Sequence, residues 1–447
     1  DLVVQGEGER LVVDMVDALA AGEPVDLPGV ITRQSDFGAW SFSPKQRLAN
    51  QVEELDSLPL PEYTEYAELA EELSIFWLIS TETSRGCWWN RALTTGDALK
   101  ACYFCNLNMG SYREKSVERA SSEIRALVQG YGNVRLRLMD NVMRNRGLPE
   151  ILDALAEPPM DLRFSTEVRA SIRPYDLLRM WEAGCHHVQI GVEGLSTAYL
   201  KRLGKGATTI QNLQAMKTCF ELDLQSTSNL LIKFPGATAE EVAETARNVE
   251  AYATGYHPTS LSTFALFNNS AVYHEPERFG LTNLRNLESM AALLPPEVAA
   301  KTHLFQRDYD LAEGEGVDWG PVEQAVDRWA ELHDNLPRLR TFTDRPFYYT
   351  DGGTFLEIVD RRDEFRRSTR EGLWREGYLR CMESRGVEAV IQRFAGDDGG
   401  QEVRDILDGL CEERLMYREG KRCLSLAPAV HPIVAARRIR RTHQQAE

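Results

Sequence analysis

Between residues 75 and 267 the chain alternates short apolar runs with longer amphipathic ones, and this alternation limits the folds open to it. Apolar runs at 75–80, 134–139, 162–167, 187–191, 226–234 and 261–267 read as six strands. Helical spacing predicts helices over 116–130, 148–156, 174–183, 197–203, 210–222 and 239–253. Ser116 stands where the first of these needs an N-cap, and Gly184 closes the third. Strands separated by helices imply an α/β fold with a parallel sheet, curved into a full or partial barrel. Active sites in such barrels sit at the C-terminal ends of the strands.

The flanks read differently. Residues 2–4 and the GEGE turn at 6–9 suggest a strand, followed by a helix over 11–21. A lone strand is not stable, so its sheet partners are expected elsewhere or lost. Residues 41–72 are polar, hold Pro44, Pro59 and Pro61, and read as a linker. Beyond about residue 305 the chain becomes helical and charged. A helix over 403–415, then a hairpin over 416–426 turning at Glu419 and Gly420, reads as a winged-helix-like end.

Charge and hydropathy exclude some functions. A net charge of −17 argues against an electrostatic grip on nucleic acid or an anionic membrane. The basic stretch AARRIRRT at 435–442 reads as a solvated end. No apolar run approaches the ~20 residues that a membrane span needs, and no secretory signal pattern opens the sequence. A large acidic chain of this kind is expected in the cytoplasm with reduced thiols.

Three of the eight cysteines lie close together, as Cys87 and the CxxC pair Cys102 and Cys105. They follow the first expected barrel strand. A structural zinc site normally closes with four protein ligands, and an iron–sulfur cluster usually takes four cysteines. Three thiolates on a 4Fe–4S cluster leave one iron open to a further ligand. The remaining cysteines have no CxxC partner, and buried free thiols are the default reading for them. His186 and His187, beside Cys185, read as structural.

The stretches ETSRGCWW (82–89) and CYFCNLN (102–108) resemble the cluster loop of radical S-adenosylmethionine (SAM) maturases of ribosomally synthesised peptides, in the cobalamin-dependent C-methyltransferase branch. YREKS (112–116), MDN (139–141), STEVRAS (165–171), QIGVEGLS (189–196), GATTIQN (206–212) and NLLIKFPG (229–236) follow in the family's order. PERFGL (276–281) and EERLMYREGKRCLSLA (412–427) extend the likeness to nearly the whole chain. There are two departures. Fourteen residues, 88–101, separate the first two cysteines where the family has about seven, and they are expected to form an excursion over the cluster. No DxHxxG cobalamin-ligand motif occurs, and the chain opens on Asp1, so the expectation is a trimmed chain, or a protein that binds cobalamin differently or not at all.

The resemblance implies a radical SAM partial (β/α)6 barrel over residues 73–270. Residues 1–34 would be the last βα unit of a Rossmann-like cobalamin domain, 35–72 a linker, and 271–447 a mostly helical C-terminal domain with the winged-helix-like end. It implies that Cys87, Cys102 and Cys105 hold a 4Fe–4S cluster, whose open iron takes the amino and carboxylate groups of SAM. Phe104 would lie near the adenine, and Asp140 or Asn141 would accept from the SAM ammonium. Glu167 would hold the ribose hydroxyls and Arg169 the SAM carboxylate. Gln189, Gly191 and Glu193 would flank the adenine, with Asn229 nearby. Each position also has a plain reading: an ion pair for Glu167 and Arg169, a loop cap for Asp140 and Asn141, a turn for Gly191, core for Phe104.

The activity implied is methylation of an unactivated carbon in a peptide, using SAM, the cluster and methylcobalamin, with an external electron donor. No catalytic acid or base stands out. Two alternatives stay open. One is a cobalamin-free radical SAM peptide maturase that epimerises, crosslinks or rearranges its substrate. The other is a metal-stabilised module that binds a leader peptide without chemistry.

Overall fold

The computed structural model describes residues 2–4, 6–32, 50–106, 110–312, 316–336, 345–396 and 399–445. The chain forms two compact units. The first holds Asp1–Pro158, Ala265–Arg278 and Leu284–Tyr309; the second holds Pro159–Phe264, Phe279–Asn283 and Asp310–Glu447. The residues expected as one barrel, 73–270, are thus shared between them.

In the first unit β1 (Leu2–Val4) is followed by α1 (Val12–Ala21) and β2 (Val30–Thr32). The expected lone strand has a partner after all: β1 pairs with β2, in antiparallel register. Successive strands of a Rossmann unit run parallel, so this segment departs from the expected remnant. Helix α1 buries none of its residues, and Val12, Val13, Val16 and Leu19 stay exposed. Part of the expected linker, 35–49, lies outside the described residues. Asn50 donates to Pro28 O at 3.1 Å, and α2 (Thr64–Glu72) occupies its end.

Strand β3 (Ile79–Thr81) is shorter than expected. The apolar residues ahead of it, Ile75 and Phe76, are exposed, and the Arg135 guanidinium stands 5.3 Å from the Phe76 ring. Helix α3 (Val117–Tyr131) starts at the expected cap, where the Ser116 side chain accepts from Arg119 N. Strand β4 (Arg135–Leu138) lies parallel to β3, and α4 (Leu148–Ala156) follows. A buried carboxylate fastens α3 beneath β3. Glu123 accepts from Thr81 Oγ1 at 2.7 Å, Lys115 Nζ at 2.7 Å and Arg119 Nε at 3.0 Å. An ion pair out of water is tolerable only when its remaining valences are met in this way.

The second unit continues the alternation with β5 (Arg163–Arg169), α5 (Pro174–Glu182), β6 (Cys185–Glu193), α6 (Thr197–Arg202), α7 (Thr209–Glu221), β7 (Gln225–Ile232), α8 (Ala239–Asn248) and β8 (Ser260–Thr263). Strands β5 to β8 pair in sequence order and in parallel. The α/β expectation therefore holds. The last expected strand is split: β8 ends at Thr263, and β9 (Leu266–Phe267) pairs antiparallel with β10 (Gln306–Leu311) in the first unit.

The helical C-terminal region is present, with α9 (Gly320–Asp334) ahead of it. It also holds an antiparallel meander absent from the sequence reading: β11 (Phe347–Asp351), β12 (Phe355–Asp360) and β13 (Arg366–Glu371). Then come α10 (Gly372–Arg380), β14 (Arg385–Gly386), α11 (Val387–Phe394) and α12 (Gln401–Glu412). The hairpin β15 (Met416–Glu419) and β16 (Arg422–Ser425) and α13 (Pro432–Gln444) complete the winged-helix-like end. Its hairpin is tied to the sheet unit, since Glu419 accepts from Ile210 N at 3.0 Å and from Thr197 Oγ1. No helix among the described residues is long and apolar enough to cross a membrane.

Lys217 on α7 is fully buried and donates to Met382 O and, at 2.8 Å, to Ser425 O. Burial pulls its pKa down from 10.5 to about 7, against the attraction of Glu221. Two predictions follow from this packing. In the unfolded chain Lys217 keeps its proton up to its ordinary pKa, while the folded protein has released it above about pH 7. The group therefore makes stability rise with pH through that window, by up to about 1.4 kcal/mol per pH unit. Urea unfolding between pH 7 and 8.5 is expected to show this rise in wild type and a flatter profile in Lys217→Met. Gly184, at the turn into β6, has φ +97, and an added Cβ would stand 2.0 Å from Leu162 O. Gly184→Ala is expected to cost about 3 kcal/mol in urea unfolding, from backbone strain plus the clash.

Candidate functional site

The cysteine loop leaves β3 through a buried clamp. Asp140 lies just past β4, 2% exposed. Its Oδ1 accepts from Thr83 Oγ1 at 2.7 Å and Ser84 Oγ at 2.6 Å, and its Oδ2 from Thr83 N at 3.0 Å. Burial raises its pKa, and these hydrogen bonds oppose the rise. Asp140 was expected to accept from the SAM ammonium. Both of its oxygens are instead engaged with the chain, because a carboxylate out of water needs donors at hand. Asn141, half-buried next to it, remains the candidate at that strand end.

Two residues further on, Gly86 adopts φ +79, and a Cβ there would sit 2.9 Å from Ser111 O. Only glycine fits this turn without strain, and Cys87 follows it directly. The CxxC closes on itself through Cys105 N to Cys102 O at 3.2 Å. Cys102 is buried, while Cys87, Cys105 and Phe104 are half-buried. Residues 88–101 hold a one-turn helix, Ala92–Thr95, and are closed by Arg91 N to Lys100 O at 2.8 Å. Trp88 Nε1 donates to Met143 O at 3.2 Å, which anchors the start of the excursion.

Among the described residues no three His, Cys, Asp or Glu side chains converge tightly enough to hold a single metal ion. A closed zinc site needs its ligands in one tight arrangement around the ion. A 4Fe–4S cluster asks for a different one, because each thiolate binds its own iron. Three cysteines outside any disulfide on one anchored loop fit that donor set.

The second unit gathers the other candidates on the open face of its sheet. Strand pairing sets Glu167 beside Gln189 and Arg169 beside Gly191. Asn229 on β7 is exposed on that face, and no hydrogen bond joins it to the others among the described residues. Glu193 ends β6 at a register shift, with φ 61. One residue that the sequence reading missed, Lys205, ties this group together. Its Nζ, nearly buried, lies 2.9 Å from Glu193 Oε1, and its carbonyl accepts from Arg169 Nη2. A Cβ on Gly191 would stand 2.6 Å from Lys205 Nζ, so the glycine makes room for the ammonium. Arg169 also reaches the Lys205 carbonyl, which holds its guanidinium from one side. The signal was present in the GKGATT stretch, but nothing local says that Lys205 faces Glu193, twelve residues earlier.

Of the remaining cysteines, Cys381 and Cys423 come together, with sulfurs 3.4 Å apart in the core. Cys411 is half-buried and does not join them in a three-thiol set. His187 Nε2 lies 3.2 Å from Thr227 Oγ1 on the neighbouring strand, which suits a structural histidine.

Because the clamp fixes where the cysteine loop starts, its loss should be read in the metal. Asp140→Ala is expected to lower iron and sulfide retained after anaerobic reconstitution, measured per chain, to below about half of wild type, with about 2–4 kcal/mol lost in stability.

Comparison with known proteins agrees with this geometry. Residues 82–249 match the family model described as the Radical SAM superfamily, a span that holds the three cysteines and every other candidate residue. The chain is 28% identical over 290 residues to an uncharacterized methyltransferase of Pyrococcus horikoshii, covering 60% of this chain and 59% of that protein. Its fold is similar to cobalamin-dependent SAM radical enzyme OxsB with aqua-cobalamin bound, with a TM-score of 0.51 at 15% identity over 92% of this chain. It is also similar to the radical SAM methyltransferase TsrM of Kitasatospora setae, solved with tryptophan substrate and a SAM analogue. There the TM-score is 0.50 at 17% identity, over 76% of this chain and 69% of that one. The chain spans 59% of the Pyrococcus protein and 55% of OxsB. Through residues 82–249 the chain carries a radical SAM domain.

Proposed function

We propose that the protein is a cytoplasmic radical SAM enzyme that methylates an unactivated carbon of a peptide, supplied with electrons by an external donor. The observation that carries this reading is the anchored three-cysteine loop at the end of β3, set within the radical SAM domain. With SAM the 4Fe–4S cluster supplies a 5′-deoxyadenosyl radical, and cobalamin a transferable methyl group.

The chain's own residues bind and orient. Cys87, Cys102 and Cys105 are the cluster ligands, and the half-buried Phe104 offers a ring beside them. Asn141 stands at the end of β4. Arg169 carries the charge for the SAM carboxylate, with Lys205 holding its guanidinium from one side. Glu167 offers a carboxylate on the same face, and Gln189, Gly191 and Glu193 form the adjoining strand. Glu193 is held by Lys205 so that its carboxylate keeps one orientation. The Trp88 indole, fixed through its ring nitrogen, covers the start of the loop.

Cobalamin draws its support from a relative, since the OxsB structure holds aqua-cobalamin. Without a DxHxxG motif, no residue of this chain is assigned to hold it. A second reading, with a small molecule rather than a peptide as substrate, is favoured by the tryptophan in the TsrM structure.

The test is anaerobic reconstitution with iron and sulfide, then incubation with SAM and dithionite and detection of 5′-deoxyadenosine. Wild type is expected to form it, and Cys102→Ala to fall at least about 100-fold, since one missing thiolate removes the cluster that the chemistry needs. No 5′-deoxyadenosine from a fully loaded wild-type cluster, with peptides and amino acids present, would sink the proposal.

A further inference from the structure

A cavity of about 620 Å³ lies within the second unit, and no residue of the cysteine loop lines it. Its walls are the loop that leaves β5 directly after Arg169, the start of α7, the segment before β14, and the last turns of α13. Its charge is unusual for a chain with a net charge of −17. Arg173, Arg385 and Arg422 line it, with Glu383 as the carboxyl group among them.

These groups are not equally engaged. Arg173 is paired with Asp176 at 2.8 Å, which cancels its charge. Arg422 donates to Ser384 Oγ at 2.8 Å and Ser384 O at 2.6 Å, both neutral acceptors. The Arg385 side chain makes no hydrogen bond or ion pair among the described residues, and its Nε is out of reach of solvent. Burial raises the pKa of Glu383 against the pull of Arg438, Arg385 and Lys217, so this one carboxyl is shared among several cations. Two guanidiniums are left facing one cavity without a full counter-charge. A half-buried guanidinium without a partner is costly, and the fork geometry of arginine suits phosphate and carboxylate oxygens.

The rest of the lining says that the anion has an organic body. Ile172 and Ile439 give apolar contact, and the Tyr175 ring stacks on His443 with centroids 3.6 Å apart, which offers a flat wall. The volume is within the range of small-molecule sites, ~300–1,000 Å³, and far exceeds a bare ion. We propose that this cavity binds an organic phosphomonoester of about nucleotide size, its phosphate held by Arg385 and Arg422 and its body set against Ile172, Ile439 and Tyr175. A phosphomonoester carries close to two negative charges at neutral pH, which matches the two uncompensated guanidiniums. The assignment does not depend on which substrate the radical SAM domain takes.

The experiment is isothermal titration of the full chain in phosphate-free buffer with adenosine 5′-monophosphate, inorganic phosphate, adenosine and succinate. Saturable binding of the monophosphate is expected, about tenfold tighter than inorganic phosphate, with adenosine and succinate weaker still. Arg385→Met and Arg422→Met are each expected to weaken it by about tenfold or more, as loss of a charge-assisted hydrogen bond does. Thr442→Glu, at the half-exposed end of α13, adds a negative charge to the same cavity without touching either arginine. It is expected to abolish binding while the melting temperature stays at the wild-type value, which separates the site from any folding defect. Several results would overturn the assignment: no saturable monophosphate binding at millimolar concentration, or an affinity that Arg385→Met and Thr442→Glu leave unchanged. Adenosine binding as tightly as its monophosphate would remove the charge argument, and succinate doing so would make this a general dianion site.

Discussion

A single buried carboxylate, Asp140, fixes the stretch from which the cysteine loop departs. It sits where β4 ends and takes donors from Thr83 and Ser84, so the exits of two parallel strands are tied at one point. The backbone repeats the tie, with Met139 N donating to Thr81 O at 2.7 Å. From beneath, Glu123 holds Thr81 and Lys115, and Lys115 N donates to Thr83 O at 2.9 Å. A few residues are thus held on two sides by carboxylates that have little freedom, because each is buried and each needs all of its donors. The loop beyond them can carry fourteen residues between its first two thiols and still begin from a defined position.

The second unit solves a similar problem with the opposite charge. The Lys205 ammonium and carbonyl meet Glu193 and Arg169, so one residue orients a carboxylate and a guanidinium on neighbouring strands. Deeper in the unit, Lys217, Glu221 and Arg438 join α7 to the winged-helix-like end and α13. Glu221 is fully buried and accepts from Arg438 and from Ala429 N. Each of these charges would be expensive alone; together they fix how the C-terminal elements pack on the parallel strands. The same packing leaves Arg385 and Arg422 at the edge of an open cavity rather than in the core.

Much of the fold was legible in the sequence. Helices α3, α4, α5 and α7 fall within a residue or two of where spacing and caps put them, and the strands of the second unit do so nearly as well. The misses have physical causes. Ile75 and Phe76 look like strand residues but stay exposed, because pairing with β4 begins only at Ile79. The last strand of the meander, Arg366–Glu371, holds three arginines and no apolar residue, which hid its alternation. β1 was read without a partner because Val30–Thr32 is too short to announce a strand.

The candidate site divides along the same line. The three cysteines and the residues at the ends of β5 and β6 could be named from local motifs, because the chemistry demands particular side chains at particular strand ends. The duties of Asp140 and Lys205 could not. Thr83 and Asp140 are 57 residues apart in the chain, and only the parallel register of β3 and β4 brings them together. Periodicity and capping act over one or two turns, so a sequence alone determines which elements form and which ligands the loop offers. Which buried charge meets which donor depends on contacts between distant segments, and that was decided only when the strands paired and water was excluded.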